Sequence, residues 1–228
     1  MDIRKFLFSL LFLLFSIFAV KAQVTQKLDA FNKVKVFGKI EVRLEKADEA
    51  SILIESGTFD VEKVKFEVND STLELKLLYE FPPAIKVQAT VYFTDINEVE
   101  VNAGAKVYNK GDIEAGNFNL EAKTGCELDL LIKTDSATVT VNKGAFVRLT
   151  GVSRSVKLKT ATEGSYIATD LVSENLYAKM LGGTAEVNVT EKLKAKVMFG
   201  GSLKYIKQPR FIDRNTFFKG TIGILEPF

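Results

Sequence analysis

The chain has 228 residues with 31 basic and 29 acidic side chains, and Arg4, Lys5 and Lys21 set against Asp2 account for the difference, so residues 23–228 are neutral. A neutral chain exerts little long-range pull on a phosphate backbone, and no nucleic-acid partner is expected. The chain lacks His and Trp and has one cysteine, Cys126, which excludes histidine acid–base chemistry, a histidine-held zinc and an intramolecular disulfide.

The first residues carry Arg4 and Lys5, then an apolar run from Phe6 to Val20 broken only by serines, then Val20-Lys21-Ala22. That order of basic, apolar and small-residue regions predicts a signal peptide over residues 1–22, cleaved after Ala22. An uncleaved membrane anchor is the competing reading. The mature chain is expected to be exported, to the periplasm, the cell surface or the medium, without a transmembrane span.

From Phe31 to Phe93 apolar and polar residues alternate: Val34 and Val36, then Ile40, Val42 and Leu44, then Leu73, Leu75 and Leu77, then Val87, Ala89, Val91 and Phe93. A period of two predicts half-buried strands. Turn signals fall at Gly38, Ala47-Asp48-Glu49, Ser56-Gly57, Asn69-Asp70-Ser71 and Phe81-Pro82-Pro83. Residues 23–95 are therefore expected to form an antiparallel β region.

Beyond Asp95 the alternation acquires a longer period. Gly104, Gly125, Gly144, Gly164, Gly183 and Gly201 recur at steps of 21, 19, 20, 19 and 18. Strands of about five residues span about 17 Å, so two strands and two corners fill one such repeat. Neither strand can bury its apolar face alone, so successive turns must stack into one interior. This predicts a two-sheet β-solenoid over residues 96–210, capped by residues 23–95 and 211–228, the whole of 23–228 forming one continuous domain. The six glycines serve as corners, followed by Ala105, Cys126, Ala145, Ser165, Thr184 and Ser202. Cys126 reads as corner filler and not as a reactive thiol. One strand of each turn is expected to point Val107, Leu128, Val147, Ile167, Val187 and Tyr205 inward, the other Val101, Ala122, Val141, Leu158, Ala178 and Ala195.

The run Gly182-Gly183-Thr184-Ala185-Glu186-Val187-Asn188-Val189, then Lys192-Leu193, Gly200-Gly201-Ser202-Leu203-Lys204-Tyr205, Pro209 and Gly220-Thr221-Ile222 resemble the auto-transporter adhesins of the head GIN domain family, and so does the opening stretch Phe31 to Leu44. The chain departs from that pattern at Lys207 and at Ala161-Thr162-Glu163-Gly164. The resemblance implies a β-helix-like, pectin-lyase-like envelope protein with no catalytic set and a role in adhesion.

Two surfaces are candidates for binding. Lys106, Glu127, Phe146, Tyr166, Glu186 and Lys204 are expected to form an outward ladder, in which Phe146 and Tyr166 make an aromatic platform for sugar rings or a partner's apolar side chains. On the other sheet Lys192, Lys194 and Lys196 point outward from one strand, beside Lys157 or Tyr177, and could hold an anionic glycan or lipid headgroup. A solvated row that discourages edge pairing is the alternative.

Glu127 and Asp129 share a face about 7 Å apart, a separation compatible with glycoside hydrolysis. They lie on one flat strand with Arg148 beside Asp129, so a surface salt bridge is their expected role. No calcium-loop repeat, P-loop or nucleophile elbow occurs. The chain is expected to be non-catalytic and without cofactor or metal. Its partner is expected to be an unknown surface ligand, either a glycan or an envelope protein, with a homo-oligomer open. A structural role in an envelope assembly is the first alternative, a polysaccharide lyase or hydrolase the second.

Overall fold

The computed structural model describes residues 22–56, 63–77 and 87–226. The expected signal peptide thus lies outside the described residues but for Ala22, as do the turns expected at Gly57 and Phe81-Pro82-Pro83. The regular elements are β1 (Ala22–Lys27), β2 (Lys33–Phe37), β3 (Glu41–Lys46), β4 (Ser51–Ser56), β5 (Val64–Asn69), β6 (Thr72–Leu77), β7 (Val87–Phe93), β8 (Glu98–Asn102), β9 (Lys106–Lys110) and β10 (Ile113–Ala122). The long strands β11 (Glu127–Asn142), β12 (Phe146–Ala161), β13 (Ser165–Leu181) and β14 (Thr184–Met198) follow, then β15 (Ser202–Tyr205), β16 (Phe211–Thr216) and β17 (Thr221–Ile224).

They wind into a β-solenoid of about seven turns. The long strands serve both sheets. β11 buries Leu128, Leu130 and Ile132, loses the alternation at Asp135 and Ser136, and resumes with Ala137, Val139 and Val141 on the second sheet. At that bend hydroxyls are buried and must find partners: Thr134 Oγ1 lies 2.9 Å from Ser153 Oγ, which in turn donates to the Ser155 carbonyl at 3.1 Å.

Successive turns pair in parallel. One interior column runs Leu128, Val147, Tyr166, Ala185, Leu203, Ile222. The large Tyr166 is followed by the small Ala185, as constant packing density requires. On the opposite sheet Leu120, Val139, Leu158, Ala178 and Ala195 form one column, and Val101, Ala122, Val141, Thr160, Met180 and Val197 the next. The six residues expected to line one column on this sheet are all buried but divide between these two.

Residues 23–95 are not an antiparallel region throughout. β2 and β3 are parallel rungs of the coil, lying between β8–β9 on one side and β6–β7 on the other. Among the described residues only β1 on β4, β4 on β7 and β5 on β6 are antiparallel, and these strands close the end of the stack. The period of two is the same for parallel and antiparallel strands, so alternation could not distinguish them.

At the other end β16 and β17 continue the parallel stack on β14 and β15. What changes is the interior: the column position below Ala195 is taken by Arg214 and that below Val197 by Thr216. An inward-column charge on the last rung opposes addition of another apolar turn. Arg214→Leu is accordingly expected to shift the chain toward end-to-end association, seen as a larger mass by light scattering. A strictly unchanged mass at high concentration would show that the arginine guards nothing.

Candidate functional site

The corners between the sheets are built from left-handed backbone. Ala103 and Gly104, Thr124 and Gly125, Lys143 and Gly144, Thr162 and Glu163, Phe199 and Gly200, Phe218 and Lys219 all have positive φ, and Gly182 with Gly183 makes a tighter corner. Neighbouring corners are hydrogen-bonded: Gly104 N donates to Thr124 O, Gly125 N to Lys143 O and Gly144 N to Thr162 O, each at 3.0 Å. Gly104, Gly125 and Gly144 hold the second left-handed position of their corners, and Gly183, also left-handed, stacks on Gly164. Gly164 and Gly201 are not left-handed; they are buried one position later. The glycine column slips by one residue at Glu163, which takes the left-handed place itself.

That slip overturns the aromatic platform. Phe146 is half-buried and pairs with Glu127 and Ser165, not with Tyr166. Tyr166 faces the interior at 1% exposure, in the column expected for Ile167. Burial pushes its phenol well above the ordinary tyrosine range. The Phe146 ring instead carries the Arg148 guanidinium 5.8 Å from its centre.

The two acids considered for hydrolysis are each held by a cation. Glu127 pairs with Lys106, and Asp129 lies 3.6 Å from Arg148. Cys126 is buried, its thiol 3.4 Å from the Val101 carbonyl, and desolvation pushes its pKa up to about 11. Among the described residues no group of His, Cys, Asp or Glu is placed to hold a metal ion, and no helix is long and apolar enough to cross a membrane.

The lysine surface is more extensive than the sequence showed. Parallel register stacks Lys157, Tyr177, Lys194 and Asp213 in one outward column and Lys159, Lys179, Lys196 and Asn215 in the next. These columns line a shallow groove of about 500 Å³. Lys194 and Lys196 belong to it. Lys192 does not: it stands in a third column between Asn175 and Phe211.

Several lysines elsewhere have acidic neighbours, as in Lys33 with Glu98, Lys110 with Glu45, Lys123 with Glu121 and Lys133 with Glu114, whereas Lys65, Lys143 and Lys207 stand apart from one another without such a pair among the described residues. Among the described residues the groove has one such pair, Lys194 with Asp213 at 3.4 Å, while Lys157, Lys159, Lys179 and Lys196 have no carboxylate within salt-bridge distance. Like charges on adjacent strands, about 4.8 Å apart, oppose pairing. Lys159 and Lys179 escaped sequence reading because they join Lys196 only through the register of three strands.

No curated protein matches the chain significantly. Solved structures do. One from Bacteroides fragilis, described as a putative adhesin, superposes with a TM-score of 0.81 at 20% identity, covering 90% of this chain and 97% of that one. Another putative adhesin, from Parabacteroides merdae, gives 0.71 at 17% identity, with 90% and 96% covered. A Parabacteroides distasonis protein described as a putative lipid binding protein gives 0.69 at 13%, with 90% and 97% covered. At these identities the likeness establishes the shared fold. The family model described as putative auto-transporter adhesin, head GIN domain, matches residues 30–209, and with most of the chain inside that match the protein belongs to this family.

Proposed function

We propose that the protein is a non-catalytic, exported adhesion module of the cell envelope that binds an anionic ligand on the lysine face around Tyr177. The observation that carries this reading is the ladder Lys159, Lys179 and Lys196, three like charges in register without acidic partners among the described residues. Such an arrangement costs the fold stability and returns it when carboxylate, phosphate or sulfate groups enter the groove. Tyr177, 39% exposed between Lys157 and Lys194, adds a flat ring beside the charges. The family supports adhesion, and one fold relative is described as a putative lipid binding protein.

The test is binding of residues 23–228 to immobilised acidic polysaccharides. Binding is expected to weaken as salt rises, because exposed charges are screened within about 10 Å at 0.1 M. The triple variant Lys159→Gln, Lys179→Gln, Lys196→Gln should lose at least about tenfold in affinity, about 1.4 kcal/mol, while its melting temperature stays level or rises. Undiminished binding by that variant would refute the proposed site.

A further inference from the structure

The corner next to the lysine columns differs from every earlier corner. Its first left-handed position is held by Ala103, Thr124, Lys143, Thr162 and Gly182 in preceding turns, small or polar residues, and then by Phe199 and Phe218 in the last two. A bulky side chain at φ 51° or 43° is conformationally disfavoured. Both rings also face solvent, at 60% and 63% exposure. They stack on each other at 5.6 Å with planes 12° apart, and Phe217 meets Phe218 edge-on at 4.3 Å. Leu181, 42% exposed, lies in the adjoining rung, next to Met198. Left-handed side chains occur at earlier corners too, Thr124 and Thr162 among them, but at these two corners the side chains form an exposed apolar cluster that lies outside the core.

Position supplies the partner. Leu181 and Met198 are two residues beyond Lys179 and Lys196 on the same outward faces, so the apolar edge lies about 7 Å from the unpaired lysine column. Lys219 follows Phe218 at the corner itself. An apolar edge bordered by cations that lack acidic partners matches the chemistry of an anionic bilayer surface, where headgroups take the charges and the rings enter the interface. A soluble acidic chain would use the lysines and leave the phenylalanines in water.

We propose that this edge docks the protein on an anionic lipid bilayer, with Phe199, Phe217 and Phe218 inserted and Lys159, Lys179 and Lys196 on the headgroups. The proposal rests on the anionic-ligand reading of the lysine face and adds the lipid surface and the aromatic anchor.

The test is co-sedimentation of residues 23–228 with phosphatidylcholine vesicles containing about 30 mol % phosphatidylglycerol, against pure phosphatidylcholine. Binding is expected on the anionic vesicles only. Phe199→Asn, Phe217→Ser, Phe218→Asn in combination should weaken it at least about tenfold and leave acidic-polysaccharide binding unchanged; the lysine triple variant should lose both. Because the chain has no tryptophan, Phe218→Trp gives a single tryptophan whose emission should shift to the blue on anionic vesicles. Failure to sediment at low salt overturns the bilayer proposal; if polysaccharide binding persists, the lysine reading survives. Sedimentation unaffected by the phenylalanine variant, with no emission shift, overturns the aromatic anchor.

Discussion

Gly164→Ala is expected to destabilise the protein by about 3 kcal/mol or more, whereas Gly125→Ala should cost about 1 kcal/mol. A Cβ on Gly164 would stand 2.3 Å from the Val141 carbonyl oxygen and 2.8 Å from its carbon. Val141 is paired in register on both sides, with Ala122 and with Thr160, and cannot retreat without breaking a ladder. Gly125 has φ 65° and nothing within 4 Å of its would-be Cβ, so alanine there meets only the left-handed penalty. Urea unfolding midpoints of the two variants provide the comparison. Equal midpoints would mean that the two glycines do the same work and that the corner does not slip.

The second large effect is at Tyr166, where two substitutions should move stability in opposite directions. Its side chain is 1% exposed, and its hydroxyl has no hydrogen-bond partner among the described residues. A buried polar group left unpaired costs about 1–3 kcal/mol. Tyr166→Phe should therefore stabilise by about 1 kcal/mol, raising the melting temperature by about 2–4 °C for a chain of this size. Tyr166→Ala empties the space between Val147 and Ala185 and should cost about 4 kcal/mol. Calorimetry of both variants distinguishes this from a surface platform, for which both melting temperatures would stay near that of the parent.

The inward phase of Tyr166 has a local physical cause. Ser165-Tyr166-Ile167-Ala168 offers two apolar phases, and either Tyr166 or Ile167 could face inward on alternation alone. The choice is made upstream, by whether the left-handed pair is Thr162-Glu163 or includes Gly164. Glycine marks most corners, but Glu163 shows that a side chain can hold one, and a column drawn through the glycines then misassigns the following strand. The lysine face was half legible for a related reason. Lys194 and Lys196 alternate within one strand and are visible as a pair, while Lys159 and Lys179 lie a whole turn or two away in sequence.

The sequence by itself determined the class of structure and its repeat. Alternation imposes strands, recurrence near 19 residues imposes stacked coils, and a single cysteine leaves core packing as the source of stability. Only the tertiary structure decided phase and neighbours: which rung lies beside which, with β2 and β3 placed out of sequence order between β6–β7 and β8–β9, and which residues of successive turns share a column. Period is a property of one segment. Register is set between segments, by corner length and by hydrogen bonding to the next rung, and it is register that gathers Lys159, Lys179 and Lys196 beside the phenylalanine corner.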